Sequence, residues 1–135
     1  MKLLGIPVWE HPDAPLLAEA RGFWPFQRIV VNQHFKRLSV AEQQAFLLHE
    51  VAHCKLRHRE RRIARLWMIF QPKRLVDYCR NQELQADNFV RLMGYGAAMA
   101  TGLAKLQGVG QSPQAIFYPP THERIARLIA CPSKE

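Results

Sequence analysis

The segment His-Glu-Val-Ala-His at residues 49–53 is the feature that most constrains how this chain can fold. It lies inside a run of apolar residues with helical spacing, and the run opens with Ser39 and Glu42 in the arrangement of a capping box. The apolar neighbours on both sides predict that this helix is largely buried. Two histidines and a glutamate in a buried helix need polar partners, because an unpaired buried polar group is costly. Other parts of the chain must therefore supply those partners.

The spacing of the two histidines predicts a metal site. Residues at positions i and i+4 lie on one face of a helix, so His49 and His53 can both bind one zinc ion. Glu50 is one residue further along, which places its carboxylate beside the metal as a base for an activated water. A catalytic zinc needs a third protein ligand, and we expect Glu83 in that role. Asp87, one turn after Glu83, is expected to accept a hydrogen bond from a ligand histidine.

The hydrophobic pattern also predicts the other elements of the chain. Predicted helices cover residues 39 to about 61, 75–93, 97–106 and 121–129. Residues 27–32 are rich in β-branched side chains and predict the best strand, whereas the proline-rich residues 1–26 predict irregular structure with at most one short strand or helix. Together these elements predict a single α+β domain over residues 1–135, mostly helical with a small N-terminal sheet.

Two further expectations depend on the predicted first helix and the run that follows it. His58 is set aside as a zinc ligand, because five residues of continuous helix would turn it about 140° away from His53. Residues 63–70 form a short apolar run, and such runs are usually buried, so we expect this one in the core.

The two motifs together resemble the M48 family of zinc peptidases, gluzincins in which a Glu-x-x-x-Asp motif supplies the third ligand. The second motif lies here within Asn-Gln-Glu-Leu-Gln-Ala-Asp at residues 81–87. Residues 29–32 are similar to the edge strand of that family. The stretch Pro-Pro-Thr-His-Glu-Arg-Ile at residues 119–125 is similar to its late Pro-Pro-Thr-x-x-Arg-Ile segment. The resemblance extends over residues 27–128 and implies a minimal zincin-like fold.

The resemblance also implies a role for each residue of the motifs. His49, His53 and Glu83 would bind one zinc ion per chain, and Glu50 would be the general base. Asp87 would orient a ligand histidine. The implied activity is hydrolysis of peptide bonds by a water that the metal activates.

The sequence departs from the family directly before the two prolines, where a histidine is usual and Tyr118 stands here. A tyrosine hydroxyl can also donate to the oxyanion that forms when a peptide carbonyl is attacked. His122, one turn later, is the other candidate for that role. Arg124 is expected either to orient the region of Tyr118 or to pair with Asp87.

These inferences predict a zinc-dependent endopeptidase acting on a peptide or protein substrate. Its cleft is expected between the strand at residues 27–32 and the helix that carries residues 49–53, with an extended peptide added to the strand edge. Two alternatives stay open. One is an ImmA/IrrE-like regulatory peptidase, which shares the first motif but usually has asparagine at the position of Asp87. The other is a catalytically weak zincin-fold adaptor that binds nucleic acid through a basic face.

The charge and the cysteines bear on partners and on location. The formal charge is +8, and six basic residues lie between Lys55 and Arg65. Such a run predicts a solvated helix face or contact with nucleic acid or an acidic surface. No apolar run is long enough to span a membrane, the N-terminus does not resemble a signal peptide, and the odd count of cysteines (Cys54, Cys79, Cys131) argues against a disulfide framework. These features predict a cytoplasmic protein.

Overall fold

The computed structural model describes residues 2–106 and 117–130. Within them, five α-helices follow a four-stranded sheet, so the predicted α+β class with an N-terminal sheet is confirmed. The strands are β1 (Lys2–Leu3), β2 (Ile6–Glu10), β3 (Ala18–Arg21) and β4 (Arg28–Val31). The helices are α1 (Val40–Lys55), α2 (His58–Ala64), α3 (Pro72–Leu92), α4 (Gly96–Leu106) and α5 (Thr121–Ile129). Cys131 lies outside the described residues.

The N-terminal region is more regular than its composition predicts, because β1, β2 and β3 all lie within residues 2–21. Leu4 and Gly5 both have positive φ and join β1 to β2 as a two-residue hairpin. The Ala-Glu-Ala-Arg sequence of β3 has little intrinsic strand preference. It is a strand because it pairs with β4, and local sequence periodicity does not predict such a pairing.

The order of strands in the sheet is β1-β2-β4-β3. β4 runs parallel to β2 on one side and antiparallel to β3 on the other. The strand predicted at residues 27–32 therefore exists, but the prediction that it forms the edge of the sheet is wrong. Both of its edges are already hydrogen-bonded, and β3 is the edge strand on that side of the sheet.

Helix α1 begins where the capping box predicts and ends earlier than predicted. The Ser39 hydroxyl accepts a hydrogen bond from the amide of Glu42 at 3.2 Å. The predicted helix to about Arg61 is wrong, because Arg57 has a left-handed backbone with φ 54° and separates α1 from α2. The chain therefore changes direction directly before His58.

The core lies between the sheet and α1, with α3 and α4 packed on the other faces of α1. Its largest fully buried apolar side chains come from β4, α1, α3 and α4, namely Ile29, Val51, Val90 and Met99. Full burial of such a side chain stabilises the fold by about 1.5–3 kcal/mol. This packing holds α1 and α3 side by side, and both carry residues of the predicted site.

The apolar run at residues 63–70 is mostly on the surface. A 3-10 helix covers Leu66–Phe70, and only Met68 within it is buried, while Phe70 is 84% exposed. The expectation that this run packs in the core is wrong, because it forms the short connection between α2 and α3 on the outside of the domain. No helix in the described part of the chain has the length and apolar content needed to cross a bilayer.

Candidate metal centre

Helices α1 and α3 bring the two histidines and the predicted third ligand together. His49 Nε2 lies 2.9 Å from Glu83 Oε2, and His53 Nε2 lies 3.2 Å from the same oxygen. The two Nε2 atoms are 3.1 Å apart. His49 and Glu83 are buried, and His53 is partly buried. The three side chains therefore converge on one point, and two of them, His53 and Glu83, line a cavity.

This cluster has the geometry of a metal site. Ligand atoms at about 2.0–2.1 Å from a tetrahedral zinc lie about 3.3 Å from one another. The three distances within the cluster are 2.9–3.2 Å, so a small adjustment of the side chains accommodates an ion. Two histidines and one carboxylate can hold a metal and leave a position open. Among the described residues, the same arrangement of metal-ligating groups does not occur elsewhere.

Charges within the cluster shift the ionisation of its members. Burial lowers the pKa of His49, but the carboxylates of Asp87 and Glu83 outweigh it and raise that pKa to about 10. Burial raises the pKa of Glu83, but hydrogen bonds from the two histidines hold it well below its usual value. Without an ion, the His49 imidazole therefore keeps its proton at neutral pH and pairs with the Glu83 carboxylate. An ion at this site would have to displace that proton, so its affinity should fall at low pH.

A buried ion pair lies behind His49 and connects it to the last helix. His49 Nδ1 is 2.9 Å from Asp87 Oδ1. Arg124 of α5 donates two hydrogen bonds to the Asp87 carboxylate, at 2.7 and 2.8 Å. Asp87 is 2% exposed and Arg124 is 7% exposed, so the pair is shielded from water. Asp87 therefore lies between His49 of α1 and Arg124 of α5.

His58 supports His53 from the side away from the cluster. The break at Arg57 turns His58 back, so its Nδ1 lies 2.7 Å from Nδ1 of His53. The argument that set His58 aside assumed a continuous helix, and that assumption is wrong. Even so, His58 is not a member of the convergent group, because it contacts the nitrogen of His53 that points away from Glu83.

The hydrogen bonds of His58 determine the tautomer of His53. The Gln85 side-chain carbonyl lies 2.9 Å from His58 Nε2 and can only accept, so that nitrogen carries the proton. Burial and the charge of His53 lower the pKa of His58 to about 4, so His58 is neutral and its Nδ1 accepts. The donor is then Nδ1 of His53. In neutral His53 this leaves the lone pair on Nε2, the nitrogen that faces the cluster, as a metal ligand requires.

Glu50 lies beside the cluster and contacts the sheet edge. Its Oε2 accepts a hydrogen bond of 2.9 Å from the amide of Ala20 in β3. Glu50, His53 and Glu83 line the same cavity, whose volume is about 140 Å³. Burial raises the pKa of the Glu50 carboxyl, and the charges of the two histidines lower it in part. The carboxylate is thus next to the group of His49, His53 and Glu83 without belonging to it.

The structure separates the two candidates for the oxyanion donor. Tyr118 lines the cavity that contains Glu50 and Glu83, and its ring lies 5.8 Å from the Arg124 guanidinium. Burial, together with the charges of Glu83 and Glu50, raises the pKa of its hydroxyl, so the hydroxyl keeps its proton. His122 is exposed and does not line this cavity. The structure therefore brings Tyr118 to the cluster and leaves His122 outside it.

The basic run between Lys55 and Arg65 does not form one solvated face. Arg62 donates to Glu83 Oε1 at 3.2 Å and so belongs to the metal centre. Sequence analysis missed this contact, because Arg62 is one of several adjacent cations with no local feature to distinguish it. Other arginines of the run lie over aromatic rings: Arg57 over Trp24, Arg59 over Phe23 and Arg65 over Tyr78.

Comparison of the chain with known proteins identifies no relative. The chain matches no protein-family model, no curated protein and no solved structure. Arguments about its function therefore depend on the geometry of the cluster and on the chemistry of the side chains around it.

Proposed function

We propose that this chain is a zinc-dependent endopeptidase similar to the M48 gluzincins. The observation that carries the proposal is the convergence of His49, His53 and Glu83 with the carboxylate of Glu50 alongside. Two histidines and a glutamate are a ligand set of catalytic zinc sites, and such sites keep one position open. A purely structural zinc site has four protein ligands and needs no adjacent base.

In the proposed reaction, Glu50 takes a proton from the attacking water and delivers it to the leaving amine. Zinc, when bound, supplies a Lewis acid that polarises the peptide carbonyl and makes water a better nucleophile at neutral pH. The Tyr118 hydroxyl donates a hydrogen bond to the oxygen of the attacked carbonyl. Asp87 and His58 hold the two histidines in the orientation that ligation needs.

The peptide substrate is proposed to bind along β3 rather than along β4. β3 is an edge strand, and Ala18, Glu19 and Ala20 line the cavity next to Glu50. An extended peptide can pair with such an edge through its main chain. The Ala20 amide donates to Glu50 and so holds the base at this edge, and the peptide would pair with other main-chain groups of β3.

Two of the sequence-based expectations are retained in this proposal. The Asp87–Arg124 ion pair favours the M48 resemblance over the ImmA/IrrE-like alternative, which usually has asparagine at that position. A cytoplasmic location stays a prediction, supported by the free, buried thiols of Cys54 and Cys79, since unpaired cysteines are typical of reducing compartments.

The test measures zinc content and cleavage of unfolded casein by the same protein preparations. We expect about one zinc per chain in the wild type. Glu83→Gln removes a charged ligand and should lose most of the zinc and all of the activity. Glu50→Gln should keep the zinc and lose cleavage by several orders of magnitude, because only the base is removed. Glu10→Gln, at an exposed carboxylate, is the matched control and should change neither quantity.

Each variant also provides a result that would contradict the proposal. Loss of zinc in Glu50→Gln would make Glu50 a ligand. If Glu83→Gln binds zinc as well as the wild type does, the third ligand is another residue. A wild-type protein that binds zinc and cleaves no unfolded protein or peptide library would be a zinc protein without peptidase activity.

A further inference from the structure

A second, larger cavity lies on a different part of the surface from the metal centre. It has a volume of about 680 Å³ and is formed by the β1–β2 hairpin, residues 24–28 and the C-terminal end of α1. It shares no lining residue with the cavity that contains Glu50. We call it the basic groove, after four of its lining residues: Lys2, Arg28, Lys55 and Arg57.

The charge of the basic groove is of one sign. No aspartate or glutamate lines it. In the described part of the chain, none of its four cations forms an ion pair. The acidic residue Glu60 contacts a lining residue of the groove, because one of its carboxylate oxygens accepts a hydrogen bond from the Trp24 amide. Four uncompensated cations around one concave surface attract an anionic ligand.

Large aromatic side chains line the same groove and are open to solvent. Trp9 is 57% exposed, Trp24 is 59% exposed and Phe26 is 82% exposed. The Arg28 guanidinium lies 5.2 Å from the centre of the Trp9 ring, and that of Arg57 lies 4.6 Å from the Trp24 ring. These stacking contacts hold two of the four cations at the rings, so the groove places positive charge next to flat apolar surface.

We propose that the basic groove binds single-stranded nucleic acid. Phosphates would contact the cations, and unstacked bases would lie on the exposed aromatic rings, which is how proteins bind single strands without sequence preference. A duplex fits this surface less well, because its base faces are covered by their neighbours. An anionic lipid surface also fits less well, because the groove is concave and two of its cations, Arg28 and Arg57, are stacked on rings inside it.

The test is a fluorescence anisotropy titration of the full chain with a labelled 20-nucleotide oligo(dT), at several salt concentrations. If the four cations each contact a phosphate, the logarithm of affinity should fall with the logarithm of salt with a slope of about −3. The corresponding duplex should bind more weakly. The measurement requires no peptidase activity, so its outcome is independent of the function proposed for the metal centre.

Two sets of variants distinguish the groove from a general effect of charge. Lys2→Gln with Lys55→Gln should flatten the salt slope by about 1.4, since two phosphate contacts are removed. The matched control, Arg37→Gln with Lys73→Gln, removes the same charge at exposed positions outside the groove and should leave the slope unchanged.

The aromatic rings are tested separately from the cations. Phe26→Ala should weaken affinity between about 5-fold and about 100-fold, the range for loss of one stacked base. The control here is Phe70→Ala, which removes an equally exposed ring outside the groove and should have no effect.

Three outcomes would overturn the proposal. The first is no binding of oligo(dT) at low salt. The second is binding that both charge variants weaken equally, which would indicate a non-specific effect of net charge. The third is a protein that does not bind oligo(dT) but binds vesicles of phosphatidylglycerol, with the groove variants abolishing the vesicle binding. That result would assign the groove to a membrane surface.

Discussion

Replacement of Arg124 by alanine is expected to lower the free energy of unfolding by about 3 kcal/mol. Removal of one partner from a buried ion pair costs about 3–5 kcal/mol, because the other charge is left unpaired. Here Asp87, which is 2% exposed with Arg124 in place, would lose both of its hydrogen bonds from the guanidinium. The His49 imidazole, 2.9 Å from Asp87 and protonated without metal, offsets part of this loss. The lower end of the range is therefore expected.

Urea unfolding at pH 7.5 measures this effect directly. With a slope of about 1.5–2 kcal/mol per molar urea, a loss of 3 kcal/mol lowers the midpoint by about 1.5–2 M. The buffer should contain EDTA, so that metal bound to the folded state does not contribute to stability. Arg127→Ala is the matched control, because Arg127 is an exposed arginine on the same helix, and it should change stability by less than about 0.5 kcal/mol.

A double-mutant cycle separates the ion pair from the packing of the arginine side chain. Asp87→Ala combined with Arg124→Ala should cost less than the sum of the two single variants, since neither charge is then left alone. The reasoning is refuted if Arg124→Ala is no more destabilising than Arg127→Ala. It is also refuted if the double variant costs as much as the two single variants added together.

Two further predictions concern parts of the fold outside the metal centre. Gly96→Ala should destabilise the protein by about 1–3 kcal/mol in urea unfolding, because the added Cβ would lie 2.4 Å from the backbone oxygen of Leu128. Thr101→Ala on the same helix is the neutral control. Equal effects of the two variants would contradict this close approach. Burial raises the pKa of Glu42, but the ammonium of Lys105 outweighs it, so the folded-state pKa lies below 4.5. The ionised Glu42 carboxylate therefore stabilises the folded state fully above about pH 4.5, and this stabilisation is lost as the pH falls through the folded-state pKa. Glu42→Gln should flatten the decline of stability between pH 5 and pH 3. An unchanged decline would count against the contact between Glu42 and Lys105.

The sequence was sufficient to predict which three side chains could converge but not what surrounds them. The i, i+4 spacing of His49 and His53 fixes their common helix face, and local periodicity alone shows that spacing. The partnership with Glu83 was also predictable, because a buried carboxylate on a second amphipathic helix needs a cationic or metal partner. The contacts of Arg62 and His58 were not predictable, because they depend on the left-handed backbone at Arg57. No glycine or proline at that point of the sequence predicts a break in the helix.

What the sequence by itself determined is local: the start of α1 at Ser39, the helical periods of α3, α4 and α5, and the β-branched strand β4. These depend on contacts between residues a few positions apart, so a pattern of side chains is enough to specify them. The tertiary structure alone decided that β3 is the edge strand facing Glu50 and that Arg124 reaches Asp87. Those contacts join residues 30 and 37 positions apart. Their formation depends on how the sheet and helices pack, and local sequence periodicity does not encode that packing.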